Sequence, residues 1–231
     1  MRLDFFIANS ANVSRKEARR LILASRVSVE GDICKKAATQ MSGTEHVCLD
    51  DEPVTLPGER YLMLHKPEGV VSATSDNENP TALELLPPDW RRNLHIAGRL
   101  DKDTTGLLLL STDGQWSHRV TSPRADCPKT YVVSLAEPLP DERLAQLETG
   151  VELRSESRPT APARVERIDG EHIRLTISEG RYHQVKRMLA AVGNRVMMLH
   201  RERIGSVELD PDLAPGEFRE LTQAEIDSFR N

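Results

Sequence analysis

The stretch Gly98-Arg99-Leu100-Asp101-Lys102-Asp103-Thr104-Thr105-Gly106-Leu107 sets the reading of this chain. An acid stands two residues after an arginine in a glycine-flanked turn, and the apolar run Leu107-Leu108-Leu109-Leu110 follows directly. Such a run reads as a buried strand. A carboxylate with a rigid strand behind it and a cation beside it is placed to act as nucleophile or general base. An aspartate before a strand is also ordinary turn chemistry, so the surroundings of the stretch decide its meaning.

Upstream, Tyr61-Leu62-Met63-Leu64 reads as a short strand ending at Lys66-Pro67, and Thr81 to Leu86 as a helical turn closed by Pro87-Pro88. Downstream, Leu107 to Ser111 reads as a strand, and Thr112-Asp113-Gly114 opens a helix through Trp116 and Val120. Thr130 to Leu135 reads as a strand, and Leu144 and Leu147 mark a helix ending before Gly150. Asp169-Gly170 between Ala163–Ile168 and His172–Ile177 is a hairpin signal. Val185, Met188, Leu189 and Val192 recur at helical spacing, with Gly193 as the stop. Strands are expected over Arg195–His200 and Ile204–Leu209, and Thr222-Gln223-Ala224-Glu225 caps a last helix. Many strands joined partly by hairpins, with few helices, predict an α+β fold with a largely antiparallel mixed sheet over residues 59–231.

The first 58 residues form a different pattern. Ser14-Arg15-Lys16-Glu17 is a capping-box signature for a short helix that places Ala18, Leu21 and Ile22 on one face. Val27-Ser28-Val29, the turn Glu30-Gly31-Asp32 and Ile33 then suggest a small hairpin, and Val47 and Leu49 a last strand. The acidic piece from Asp50-Asp51-Glu52-Pro53 to Pro57-Gly58 reads as a linker. A small domain over residues 1–58, helix plus small sheet, is expected.

The net charge of −5 conceals an asymmetry: residues 1–40 carry eight Lys/Arg and four Asp/Glu, whereas residues 44–59 are acidic and free of both bases. Arg15 and Arg19, like Lys16 and Arg20, lie four apart and repel each other on a helix. A phosphate backbone would offset that repulsion, so these four, with Lys35 and Lys36, are the candidate nucleic-acid contacts. The three cysteines, Cys34, Cys48 and Cys127, lack CxxC spacing, which argues against a disulfide framework or a zinc site. No metal site is expected from the acidic groupings at Asp76-Asn77-Glu78 or Asp101/Asp103. No glycine-rich dinucleotide or triphosphate motif is present. No apolar stretch is long enough for a membrane span, and no signal-peptide core opens the chain; a cytoplasmic location is expected.

Four segments carry a family resemblance, and they occur in the family's order. Gly98-Arg99-Leu100-Asp101 with Thr104-Thr105-Gly106-Leu107 resembles the central motif of the pseudouridine synthases, in the RsuA/RluA branch. Lys66-Pro67-Glu68-Gly69, Lys129-Thr130-Tyr131 and Glu179-Gly180-Arg181-Tyr182-His183-Gln184-Val185-Lys186-Arg187-Met188 resemble its other motifs, and the N-terminal segment is similar to an S4-type RNA-binding domain. The resemblance implies isomerisation of one uridine to pseudouridine, in small-subunit ribosomal RNA, by a monomer that needs no cofactor because no atom enters or leaves.

It implies that Asp101 is the catalytic carboxylate, attacking sugar or base or removing a ribose proton. Such a group works only when ionised, a form that a nearby cation favours. The resemblance gives that cation role to Lys186, with Arg187 as the fallback. Tyr131 would pack against the uracil, its hydroxyl being a poor unassisted base. The target base must leave the helical stack. Arg99 either fills the gap it leaves or contacts a phosphate. Ile204 is expected at the uracil's apolar edge and Lys66 in the pocket wall. His183 reads as a structural histidine bonded to backbone or phosphate. Two other classes compete: a non-catalytic RNA-binding or ribosome-assembly protein, and a carboxylate hydrolase. An enzyme of the same family acting on large-subunit RNA is a further alternative. A pure binder has no need of Asp101, Tyr131 and Lys186 together, and a hydrolase leaves the S4-like segment unexplained.

Overall fold

A computed structural model describes residues 1–122 and 127–229. The chain divides into two compact units, Met1–Glu59 and Arg60–Asn231.

In the first unit, helix α2 (Arg15–Leu23) starts where expected, with Ser14 Oγ accepting from the Glu17 amide at 3.1 Å. A second helix, α1 (Leu3–Ser10), precedes it. Leu3, Phe6 and Ile7, three and four residues apart, form its buried stripe and meet Ala18 and Ile22 of α2 in one small core. The sheet is antiparallel, order β2-β1-β3-β4, from β1 (Val27–Val29), β2 (Asp32–Ile33), β3 (Val47–Leu49) and β4 (Glu52–Pro53). The acidic piece expected to be linker therefore opens with a turn and the short strand β4. Asp50 and Asp51 both adopt positive φ, 52° and 68°, the conformation of a two-residue hairpin turn. Arg26 closes on Asp50 as an ion pair.

The second unit is built on a nine-stranded sheet. Its strands are β5 (Tyr61–Lys66), β6 (His95–Ala97), β7 (Thr104–Ser111), β8 (Lys129–Leu135), β9 (Arg164–Arg167), β10 (His172–Ile177), β11 (Val196–Ile204), β12 (Val207–Glu208) and β13 (Phe218–Glu220). The main path runs β13-β5-β7-β11-β8-β10-β9; β6 pairs with β7 and β12 with β11. All named pairs are antiparallel except β7 with β11, which is parallel. Helices α3 (Gly114–Thr121), α4 (Asp141–Thr149), α5 (Gln184–Ala191) and α6 (Gln223–Asp227) follow the expected caps and stops. The two strands expected between Arg195 and Leu209 are one long strand and a two-residue return, because the turn falls at Gly205.

Alternation along β5 and β7 sends Leu62, Leu64, Leu108 and Leu110 to one face and Tyr61, Met63, Leu107 and Leu109 to the other. Each face has its own core, so the four-leucine run is apolar throughout because it is buried on both sides. The parallel pairing is tight: a Cβ on Gly106 (φ +108°) would lie 2.2 Å from the Arg201 carbonyl oxygen. Only glycine allows β7 to approach β11 so closely.

Candidate active site

The Asp101 turn is fastened from several sides. Ser72 Oγ accepts from the Leu100 amide at 3.0 Å and donates to the Leu100 carbonyl at 2.9 Å, while only 4% of Ser72 is exposed. The Gly69 amide and the Lys66 ammonium reach the Lys102 carbonyl, at 2.8 and 3.4 Å. Arg201 donates to the carbonyls of Leu107 and Gly98, at 2.9 and 3.1 Å. Backbone groups that a loop would leave to water are paired here with buried side chains, so the carboxylate sits on a rigid support.

Asp101 faces a cavity of about 800 Å³ whose lining includes Arg99, Tyr131, His183 and Lys186. Lys186 Nζ lies 3.0 Å from Asp101 Oδ2 and 2.6 Å from Asp103 Oδ1. His183 Nε2 lies 3.3 Å from Asp101 Oδ1. Burial disfavours the Lys186 ammonium, but hydrogen bonds to Asp103 and Asp101 outweigh it and hold its pKa above the ordinary lysine value. The same lysine holds the Asp103 carboxyl below its usual range. An ammonium's three donors suit this shared duty, since two carboxylates from one turn converge on one point charge.

Tyr131, paired across to Leu175 and Arg201, is 9% exposed, with its ring in the cavity wall. Arg99 is exposed at the cavity, with no hydrogen bond or ion pair among the described residues. Asp101, Tyr131, Lys186, Arg99 and His183 are thus brought together.

Three expected residues are not in the lining. Lys66 is fully buried, its ammonium donating to the Pro67 carbonyl at 2.8 Å, and burial lowers its pKa to about 8 against the pull of Asp103 and Asp101. It supports the turn from behind. Ile204 is 1% exposed and packs with Trp116 and Phe229 in the other core, where a wholly apolar side chain is shielded from water. Arg187 turns to Glu156 and the Arg154 carbonyl, at 2.9 and 2.8 Å, so its guanidinium is committed to a neighbouring loop. His183, expected as a structural histidine, turns its Nε2 toward the Asp101 carboxylate. Sequence reasoning gives no role to Ser72, Asp103 or Arg201. Arg201 and Ser72 carry no periodic or pairing signal; Asp103, two residues from Asp101, could have been found as the second carboxylate facing a single lysine.

In the first unit, Arg2, Arg15 and Arg19 converge on Asp4, which is fully buried. The repulsion between Arg15 and Arg19 is therefore offset within the chain, without a phosphate. Lys16, Arg20, Lys35 and Arg15 and Arg19 themselves remain exposed, as does Lys36.

Three comparisons join this geometry. Residues 60–191 match the family described as RNA pseudouridylate synthase, and residues 1–44 match the S4 domain. The chain belongs to the RNA pseudouridylate synthase family. It is 55% identical over 229 residues to "Ribosomal small subunit pseudouridine synthase A" of Salmonella typhimurium, covering 99% of each chain. It is 54% identical over 231 residues to the protein of that name from Escherichia coli K12, again covering 99% of each. A solved structure, "Crystal structure of pseudouridylate synthase", matches with a TM-score of 0.73 at 46% identity, covering 99% of each chain. Among the described residues of this family member, no helix is long and apolar enough to cross a membrane, and no group of three or more His, Cys, Asp or Glu is placed to hold a metal ion.

Proposed function

We propose that the chain isomerises one uridine of small-subunit ribosomal RNA to pseudouridine, with Asp101 as the catalytic carboxylate acting on a base turned out of the stack. The observation that carries this reading is the partly exposed Asp101 side chain, 30% accessible, held 3.0 Å from Lys186 in a cavity walled by Tyr131. The reaction breaks the bond between ribose C1′ and uracil N1 and re-forms it at C5; the C5 proton leaves and N1 ends protonated, so atoms balance without a cofactor. Asp101 engages the sugar or the base, Lys186 balances its charge, and Tyr131 packs on the uracil ring. Arg99, without a partner among the described residues, fills the gap in the helix or holds a phosphate. The S4 unit, residues 1–58, anchors the RNA through Arg15, Lys16, Arg19, Arg20, Lys35 and Lys36, and residues 59–231 carry out the chemistry. The enzyme works as a cytoplasmic monomer on its ribosomal RNA.

The high identity to small-subunit enzymes supports that substrate over large-subunit RNA. The test is chemical mapping of pseudouridines in all ribosomal RNA from cells lacking this chain. One small-subunit site should lose its modification, return with the native chain and stay absent with Asp101→Asn. Loss of a large-subunit site, or of none, overturns the assignment.

A further inference from the structure

Tyr182 is 77% exposed, the most open of the large apolar side chains and the one exposed aromatic among the described residues of the second unit. A ring of that size left in water forfeits the burial that fixes most aromatics in a core. Yet Tyr182 is firmly set. One face stacks on the His183 ring, centroids 3.8 Å apart and planes 20° from parallel. Its carbonyl accepts from Arg187 Nη1 at 3.2 Å, and His183 beyond it is fixed in the left-handed conformation, φ 47°. Arg181, on its other side, is tied to the carbonyls of Arg158 and Pro159 at 2.9 and 2.8 Å. The three groups form a ladder out of the cavity: the Asp101 carboxylate, the His183 imidazole 3.3 Å away, and the phenol stacked on it.

We propose that Tyr182 is a stacking subsite for the nucleobase next to the target uridine. This rests on the RNA-modifying reading above and adds to it a second base contact. A preset aromatic face at the rim of a site that takes an unstacked base offers what single-stranded RNA recognition uses, a flat apolar surface for a splayed neighbour. The ring tolerates any base identity, because every base presents a π face. The ordering cost is already met by the protein, since the stack on His183 holds the phenol in place before RNA arrives.

The experiment uses the full chain and an RNA fragment spanning the mapped uridine in three forms: intact, abasic on the 5′ side, and abasic on the 3′ side. Pseudouridine formation is followed for the native chain and for Tyr182→Ala, Tyr182→Phe and Tyr182→Trp. Tyr182→Ala should raise KM on the intact RNA roughly ten-fold while kcat moves little, and Phe and Trp should restore it. One abasic RNA should raise KM for the native chain by a similar factor and cost the alanine variant nothing more. The proposal is overturned if Tyr182→Ala lowers kcat equally on all three RNAs, which marks the ring as a support for His183, or if Phe fails to rescue. Should the native chain leave the intact fragment unmodified, it is the substrate assignment that fails. Equilibrium binding of the same three RNAs then reads the stacking interaction: equal affinities for the native and alanine chains would sink it.

Discussion

Asp4 in the small unit and Asp101 in the large one both face at least one cation, and they end in opposite conditions. Asp4 is fully buried beneath Arg2, Arg15 and Arg19, and four hydrogen bonds of 2.9–3.2 Å occupy its two oxygens. Asp101 is 30% exposed and meets one ammonium and one imidazole, with the rest of its acceptor capacity open to the cavity. Burial would raise the Asp4 pKa, but the hydrogen bonds from Arg15, Arg19 and Arg2 prevail and hold it well below the usual carboxylate range. A carboxylate so engaged has no lone pair to offer a substrate. One that is anchored through its backbone, and only partly paired at its oxygens, does. The proposed catalytic acid differs from the structural one in what the cations leave free, not in their presence.

The largest expected effect comes from removing the proposed catalytic acid. Asp101→Asn should reduce pseudouridine formation by at least about a thousand-fold in a single-turnover assay, with the melting temperature nearly unchanged. Comparable stability loss at both aspartates would erase the contrast. Lys186→Met should lower kcat by roughly a hundred-fold, on the scale of losing one electrostatic partner in a site, and Lys186→Arg should recover part of it. If Met is as active as the native chain, Lys186 belongs to Asp103 alone.

Asp4→Asn should do the reverse of Asp101→Asn. It leaves three guanidiniums facing a neutral amide and should cost about 2–4 kcal/mol of stability in chemical denaturation, less than a wholly buried pair because the arginines are half exposed. Since the folded carboxyl has the lower pKa, its stabilisation is complete above about pH 4, the unfolded value, and is lost only as pH falls through the folded one. Neutral-pH stability should therefore be flat in pH for this site. The smallest effect sharpens the same comparison from the outside. Lys16 and Arg20 have no ion partner among the described residues, unlike Arg15 and Arg19. Lys16→Ala with Arg20→Ala should weaken RNA binding and flatten its salt dependence by a slope of about 0.7–0.9 for each phosphate no longer neutralised. An unchanged slope would remove that helix face from the interface.

Local sequence carried helices α2 to α6, the hairpin at Asp169-Gly170 and the central strand, because capping, turn chemistry and apolar periodicity act over a few residues. It also placed Asp101, Tyr131 and Lys186 as partners, through motif resemblance and not through any distance it contains. It missed α1, whose first residues give only a short stripe, and it read Asp50-Asp51 as linker because two acids in positive φ look like solvated charge.

What only the folded molecule settled is where each charge spends its hydrogen bonds. Arg15, Arg19, Arg187 and Lys66 are indistinguishable in the sequence from free cations. The three arginines find carboxylates 11, 15 and 31 residues away, and the lysine is buried beneath the Asp101 turn. An ionic interaction depends on distance in space, and a chain of residues fixes that only after its sheets and cores have closed.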